Sequence, residues 1–183
     1  VVLRGVEHTI AARVQCTGIG LHTGEPVDLA LRPAAPGTGI LFVRTDLEKP
    51  RQFLLKRLKS ADDLRRKWLR LPEVTDAYRI ARAEWVTDTT LATTLGNEDA
   101  SLSTIEHLVA ALRGMGIDNC TVEVSGPELP IMDGSAGSFV YLIQQAGVRS
   151  QARMRRRIVI RRPIEVRDGN RWVRVLPSRD FKV

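Results

Sequence analysis

The stretch STIEHLVAAL, residues 103–112, decides the fold of this chain because it has the spacing of an amphipathic helix. Its apolar residues fall at i, i+3, i+4 and i+7, which places them on one helical face. These residues are Ile105, Leu108, Val109 and Leu112. Ser103 as the N-cap, with Glu106 three residues later, predicts a capping box at the helix start. We therefore expect a helix that buries one face and begins with a polar turn.

The polar start of this helix carries an adjacent acid and histidine, Glu106 and His107. His107 falls opposite the apolar stripe, where a ligand, a substrate or another domain could approach the imidazole. The positive end of the helix dipole favours the neutral ring, which is the form that binds metals. Glu106 could accept a proton from a metal-bound water. Two interpretations follow: a functional Glu-His pair, or an exposed and capped helix start.

Alternating apolar residues predict strands on both sides of the central helix. Strands are expected at residues 9–16, 27–32, 40–43, 87–95 and 120–124, and the first three are expected to form an antiparallel meander. The polar residues 147–157 are expected to be a linker, and a hairpin is expected around Asp168-Gly169-Asn170. A second helix is expected around 139–146, capped by Asp133 or Ser135, with a contact that supports the central helix as the other role for Asp133. The expected fold class is α+β, an antiparallel sheet with helices packed on one face.

The composition is that of a folded protein with a basic charge balance. The 183 residues are 43% hydrophobic, and the net charge of +7 is concentrated in residues 51–70 and 153–162. No helix-turn-helix, zinc-finger or RNA-binding aromatic pattern accompanies these runs, so we expect no nucleic-acid partner. Cys16 and Cys120 are far apart. The two cysteines are typical of free thiols in a reducing compartment. This sequence also has no signal-peptide or transmembrane pattern, so we expect a cytoplasmic location.

Five motifs follow one another along the chain in a recognisable order. They are CTGIGLHTG at 16–24, RTDL at 44–47, DTTL at 88–91, STIEH at 103–107 and PIMDGSA at 130–136. In this order the motifs closely resemble the LpxC family, the zinc-dependent UDP-3-O-acyl-N-acetylglucosamine deacetylases of lipid A synthesis. The resemblance covers nearly the whole chain apart from an apparent insertion at about residues 48–84.

The resemblance implies a zinc-dependent hydrolysis and assigns residues to it. It implies Zn²⁺ as the cofactor, His107 as one of three protein ligands, and Glu106 as the base that takes the proton of the attacking water. Leu91 and Ala92 are implied to line the wall of the active site. Several family members have cysteine where Ala92 stands, and that position carries no proton or metal chemistry. The implied substrate is a UDP-linked acylated amino sugar, from which acetate is released.

His22 lies in a glycine-rich turn and has two interpretations. It is either a surface residue of that turn or a polar contact to the nucleotide sugar or phosphate of the substrate, aided by backbone N–H groups of the loop.

The resemblance also predicts two domains. Residues 1–150 correspond to the N-terminal deacetylase domain, and residues 151–183 to a linker and the incomplete start of a second, similar domain. In the family, the other two zinc ligands and the histidine general acid belong to that second domain. We therefore expect an N-terminal part that is inactive alone and needs a separate second catalytic domain. The alternative is a non-catalytic domain that binds a protein partner or a nucleotide sugar.

The apparent insertion contains a basic amphipathic segment at residues 53–69, which is predicted to be helical as far as Pro72. Such a helix can lie on an anionic membrane surface or dock to a partner, and it can equally be a solvated surface helix.

Overall fold

The computed structural model describes residues 5–47, 78–80, 86–96, 101–155 and 159–179, and for 78–80 it describes the backbone. Within these ranges the chain forms twelve strands and two helices, which confirms the α+β class. The basic segment predicted as a helix at residues 53–69 lies outside the described residues. So does most of the apparent insertion at 48–84.

The first part of the chain is a series of strands. They are β1 (Val6–Ile10), β2 (Val14–Ile19), β3 (Pro26–Pro33) and β4 (Ile40–Arg44). The prediction of one continuous strand at 9–16 is wrong because the chain turns between β1 and β2. At that turn the N–H groups of Ala11 and Ala12 donate to the carbonyl oxygens of Gly147 and Ala146, which lie far along the chain.

The main sheet has five strands in the order β2-β3-β9-β4-β5, where β5 is Tyr78–Ile80 and β9 is Cys120–Val124. The predicted meander is wrong because β9 lies between β3 and β4. Strand β9 pairs antiparallel with β3, with Leu31 opposite Val122, and parallel with β4, with Phe42 opposite Val122. Every second residue of β9 is buried, as befits a strand with a neighbour on each side.

A three-stranded sheet leads into the central helix. It contains β6 (Val86–Asp88), β7 (Thr94–Gly96) and β8 (Ser101–Leu102). The single strand predicted at 87–95 is wrong, because these residues fold back as the hairpin β6–β7. The Asp88 carboxylate accepts hydrogen bonds from the N–H of Thr90 (3.0 Å) and from its hydroxyl (2.8 Å), which stabilises the turn.

Two further strand pairs complete the described structure. They are β1 with β10 (Val148–Met154), and β11 (Ile164–Asp168) with β12 (Arg171–Val175). The polar stretch after Gly147 was predicted as a linker, but β10 is instead paired antiparallel with β1. The hairpin predicted around Asp168-Gly169-Asn170 is confirmed as β11–β12. The division of the chain into two domains stays a prediction.

The two helices are α1 (Glu106–Gly114) and α2 (Gly137–Ala146). They contact each other, and α2 also contacts β2. Apolar side chains of both helices share one buried cluster with alternate residues of β3 and β9. The cluster includes Leu29, Leu31, Leu108, Leu112, Val122, Val124, Phe139 and Ile143. The predicted apolar stripe is confirmed at Ile105, Leu108 and Leu112, whereas Val109 is half-buried and Ala111 is buried in its place.

The start of α2 differs from the prediction in detail. Ala136 occupies the N-cap position, and no side chain of that residue caps the helix. Ser135 Oγ instead accepts a hydrogen bond from the Gly137 N–H at 3.0 Å. Asp133 accepts hydrogen bonds from the N–H and the hydroxyl of Ser135 (3.1 and 3.0 Å), so its carboxylate stabilises the turn before the helix.

No helix within the described ranges is both long and apolar enough to cross a membrane.

Truncation of a side chain in the shared core should destabilise the protein strongly. Leu108 is completely buried, so Leu108→Ala should lower the free energy of unfolding by about 3 kcal/mol, through lost burial and the cavity left behind. Urea denaturation followed by circular dichroism measures this change. Val173→Ala is the control, since Val173 is 68% exposed on β12, and it should shift stability by less than about 0.5 kcal/mol. Equal effects of the two changes would contradict this description of the core.

Candidate active site

The backbone just before α1 is held in an unusual conformation. Thr104 has φ of 59°, in the left-handed region, where a β-branched residue is a rare exception. The predicted capping box is wrong, because Ile105 occupies the N-cap position and no side chain caps the helix. The N–H of Ser103 donates to the carbonyl oxygen of Pro127 at 2.9 Å, so it is not available to Glu106. The chain thus enters the helix through a strained residue.

Glu106, the predicted catalytic residue, is held by Thr93, which directly precedes β7. One of its carboxylate oxygens, Oε2, accepts a hydrogen bond from the backbone N–H of Thr93 at 3.0 Å. The contact is reciprocal, since the N–H of Ile105 approaches the Thr93 carbonyl oxygen at 3.5 Å. Both Glu106 and the adjacent His107 are half-buried. The predicted pair therefore lies at a helix start that is hydrogen-bonded to Thr93 and has partial access to solvent.

A buried carboxylate, Glu128, connects this helix start to the glycine-rich turn. Glu128 is 2% exposed. Its Oε1 accepts a hydrogen bond from the Thr104 hydroxyl at 2.9 Å. Its Oε2 accepts one from the N–H of Thr23 at 2.9 Å, and the N–H of His22 lies 3.1 Å from both oxygens. We call these four residues, Thr104, Glu128, His22 and Thr23, the Glu128 clamp.

The clamp keeps Glu128 ionised. Burial alone raises the pKa of this carboxyl group, because a charge is disfavoured away from water. The hydrogen bonds from the N–H groups of Thr23 and His22 and from the Thr104 hydroxyl outweigh burial, so the net pKa of Glu128 is lowered. The clamp is therefore a charged acceptor surrounded by donors.

Gly20 is required for the carboxylate to approach the turn. A Cβ atom at this position would lie 2.2 Å from Thr23 Oγ1 and 2.5 Å from Glu128 Oε2. The turn itself closes with a hydrogen bond from the Gly24 N–H to the Gly20 carbonyl oxygen at 3.0 Å. A side chain at residue 20 would therefore displace the carboxylate from its donors.

The structure places His22, a predicted substrate contact, in the clamp through its backbone. The His22 residue is exposed, and its N–H is directed to Glu128. Because Glu128 also holds Thr104, the turn with His22 is connected to the start of α1. A role of the His22 side chain in substrate binding stays a prediction.

Leu91 and Ala92, the other predicted substrate contacts, lie in the turn of the β6–β7 hairpin. Leu91 is 81% exposed and Ala92 is half-buried. Ala92 directly precedes Thr93, whose N–H contacts Glu106. Asp88 stabilises this turn, and its pKa is lowered by the hydrogen bonds from Thr90. The hairpin therefore brings this segment to the side of α1 that carries Glu106, while the contact with substrate stays a prediction.

The RTDL motif has a structural role near the same place. Arg44 donates to the carbonyl oxygen of Ser101 at 2.7 Å and to the Asp46 carboxylate at 2.8 Å. The hydrogen bond from Arg44 lowers the pKa of Asp46. Thr45 donates its N–H to the Val124 carbonyl oxygen at 2.8 Å. The motif thus fastens the end of β4 to β8 and β9.

The described residues do not complete a zinc site. Within the ranges that the structure covers, no three or more His, Cys, Asp or Glu residues are grouped so that they could hold a metal ion. A catalytic zinc site needs three protein ligands and an open position. His107 has the right chemistry for one ligand, and the described part of the chain does not supply the other two.

Sequence reasoning missed Thr104, Glu128 and Thr93. Nothing local distinguishes Glu128 from a surface acid in the turn-like segment GPELP at 126–130. Its partners His22 and Thr23 are 106 and 105 residues away in sequence. The adjacency of Glu128 to the PIMDGSA motif was the one available signal.

The described structure is thus an α+β protein in which an adjacent acid and histidine lie at the start of a helix. The chain matches the family model described as LpxC, UDP-3-O-acyl N-acetylglycosamine deacetylase, over residues 7–67 and 67–183. This chain therefore belongs to the LpxC family, and the resemblance drawn from its motifs is confirmed.

Individual relatives agree with the family match. A protein from Methylococcus capsulatus named UDP-3-O-acyl-N-acetylglucosamine deacetylase is 47% identical over 177 residues, which is 97% of this chain and 50% of the relative. A protein of the same name from Myxococcus xanthus is 45% identical over 177 residues, with 97% of this chain and 48% of the relative covered. The chain thus spans about half the length of the curated relatives it matches.

Substitution of Gly20 should loosen the turn. Gly20→Ala forces a Cβ against Thr23 and Glu128 and should lower the free energy of unfolding by about 1–3 kcal/mol. Gly114→Ala is the matched control, because its Cβ would meet no atom within 4 Å and alanine favours a helix by up to about 1 kcal/mol. Chemical denaturation of both variants measures the difference. A Gly20→Ala variant as stable as the control would contradict the close approach.

The charge on Glu128 should make stability depend on pH. Because the folded-state pKa is lowered, the stabilisation is complete above the ordinary glutamate pKa of about 4.3 and is lost as pH falls through the folded value. At pH 7, Glu128→Gln should be about 1.5–3 kcal/mol less stable than the native chain. This gap should narrow below about pH 4. Denaturation at several pH values measures it, and a gap that stays constant in acid would contradict the charged clamp.

Proposed function

We propose that this chain forms the N-terminal part of a zinc-dependent deacetylase that acts on UDP-3-O-acyl-N-acetylglucosamine in lipid A synthesis. The observation that carries the proposal is the fixed Glu106–His107 pair in a chain that belongs to the LpxC family. The names of its relatives supply the substrate, a UDP-linked acylated amino sugar.

Glu106 has the geometry of a general base. Thr93 holds Oε2 through its backbone N–H, which fixes the direction of the carboxylate. No described residue donates a hydrogen bond to Oε1, so this oxygen can take up a proton from an attacking water. The water oxygen adds to the carbonyl carbon of the N-acetyl group. The carbon–nitrogen bond then breaks as its nitrogen takes up a proton, for which the proposed donor is the histidine general acid of the second domain. The products are acetate and a free amine on the glucosamine.

His107 is proposed as one ligand of the zinc ion. When bound, zinc would lower the pKa of a coordinated water and polarise the amide carbonyl. Since the described residues do not group three metal ligands, we propose that the others come from a second catalytic domain. We propose that the substrate contacts His22, Leu91 and Ala92. The turn with His22 is bonded to Glu128 of the clamp, and the turn with Leu91 and Ala92 leads to Thr93, which contacts Glu106.

The reaction is proposed to take place in the cytoplasm. Membrane-surface association through the basic segment at 53–69 remains part of the proposal, since an acylated substrate has an affinity for that surface.

A second candidate is a non-catalytic domain that binds a nucleotide sugar or a protein partner. The observation that favours it is the incomplete ligand set among the residues in the described ranges. The two candidates differ in whether acetate is released. The first predicts acetate release that requires Glu106, and the second predicts binding without acetate release.

The experiment that tests the proposal measures zinc content and acetate release. The chain is assayed alone and mixed with the C-terminal half of the Methylococcus capsulatus relative. We expect activity in the mixture, with Glu106→Gln lowering it by roughly 10²- to 10⁴-fold while zinc is retained. His107→Ala should lose both zinc and activity.

Glu123→Gln serves as the control for the assay. Glu123 lies on β9, where it pairs with Arg32 on the sheet surface at 2.9 Å, and its substitution should leave acetate release unchanged. A folded native chain that gives neither zinc binding nor acetate release in the mixture would overturn the deacetylase proposal. Nucleotide-sugar binding that is retained in Glu106→Gln without any turnover would then favour the second candidate.

A further inference from the structure

We propose that the Glu128 clamp is a positioning device for the active-site pair, in which Glu128 and Thr104 set the conformation from which Glu106 and His107 extend. Neither residue touches the reacting atoms in this proposal. The part that concerns catalysis rests on the function proposed above, whereas the part that concerns conformation does not.

The clamp joins three segments that are distant in sequence. The carboxylate of Glu128 accepts hydrogen bonds from the turn at residues 20–24 and from Thr104. Backbone contacts flank it on both sides: the Ser103 N–H donates to the Pro127 carbonyl oxygen, and the Leu129 N–H donates to the Ser103 carbonyl oxygen at 3.1 Å. The residues on either side of Glu128 are thus hydrogen-bonded to Ser103. The Glu128 side chain accepts a hydrogen bond from the next residue, Thr104.

Thr104 is the residue on which the helix start depends. Its positive φ is costly for a β-branched residue and persists only where the surroundings enforce it. Thr104 is 3% exposed, and its hydroxyl donates to Glu128. If φ relaxed to a negative value, the direction of the chain at residues 105–107 would change. The hydrogen bond to Glu128 therefore maintains the conformation that presents the pair.

A second anchor makes the position of Glu106 sensitive to this conformation. Glu106 reaches Thr93 by its side chain, and Ile105 approaches the same residue by its N–H. Both contacts require that the backbone continue from Thr104 into residues 105 and 106 in the observed direction. Loss of the clamp should therefore weaken the contact between Glu106 and Thr93 without any change at either residue.

Backbone hydrogen exchange on the chain alone tests the conformational part, with no zinc or substrate needed. In the native protein, the amides of Thr23, Thr93 and Val109 should exchange slowly. They donate to Glu128, to Glu106 and to the Ile105 carbonyl oxygen, respectively. Glu128→Gln places an amide NH₂ among donors, and Thr104→Val removes the hydroxyl while keeping the shape. Each change should speed exchange at Thr93 and Val109 by roughly 10-fold or more.

Two further variants separate positioning from general destabilisation. Thr104→Ser keeps the hydroxyl and should exchange as the native chain does. Glu7→Gln removes a second buried carboxylate, which accepts hydrogen bonds from the Gly37 N–H (2.7 Å) and from Asn119 (2.9 Å). It should speed exchange at Gly37 and leave Thr93 and Val109 unchanged. If Thr104→Val and Glu7→Gln had the same effect at Thr93 and Val109, the clamp would be a general stabilising contact and the proposal would fail.

Turnover in the mixture with the C-terminal half of the relative tests the catalytic part. Thr104→Val should lower kcat by roughly 10- to 100-fold with KM little changed, and Thr104→Ser should restore kcat. Native kcat in Thr104→Val would overturn the catalytic part. If the native mixture showed no activity, the proposed function would fail, while the exchange experiment would still decide whether the clamp positions the helix start.

Discussion

The candidate site depends on one negative charge in the protein interior. A buried carboxylate is costly unless donors surround it, and Glu128 obtains its donors from chain segments on both sides of the site. Loss of these donors would leave a buried charge without hydrogen bonds, which is strongly unfavourable. The turn at 20–24 and Thr104 are therefore held within hydrogen-bonding distance of the carboxylate. One electrostatic requirement thereby fixes the glycine-rich turn, the strained residue and the beginning of α1 relative to one another. The strain at Thr104 is offset by this interaction.

The hydrophobic core supplies the support on which that interaction acts. The inner face of α1 packs with α2 and with alternate residues of β3 and β9 in one continuous cluster. Because this face of α1 is buried, the helix cannot rotate to relieve strain at its first residues. The clamp and the core therefore act at different points of the same helix. The core fixes its axis, and the clamp with Thr93 fixes its first turn, where the acid and the histidine lie.

Local periodicity explains what could be predicted from the sequence. The helical spacing of Leu108 and Leu112, the alternation in 120–124 and the Asp-Gly-Asn turn of the last hairpin depend on neighbours along the chain, and all three predictions are confirmed. Two of the wrong predictions, the meander and the linker, concern contacts between distant residues, because β9 lies between β3 and β4 and β10 pairs with β1. The single strands at 9–16 and 87–95 and the capping box were wrong locally, because contacts from elsewhere in the fold reverse the chain or take up the donors there. Glu128 belongs to the first of these classes, since no local pattern reveals donors about a hundred residues away. The motif order, by contrast, identified the family because it combines many positions.

The pairing of β1 with β10 has a consequence for how the protein acquires its structure. Val6 lies opposite Met154, so the pairing of β1 with β10 cannot be complete until residue 154 has been synthesised. Closing so long a loop delays folding, because its entropic cost must be met before the contacts form. During translation β1 would present an unpaired edge to the surroundings, a state that favours aggregation and chaperone binding. Its residues 7–10 are buried in the finished fold, so these residues reach their final environment only after the strand that pairs with them has been made.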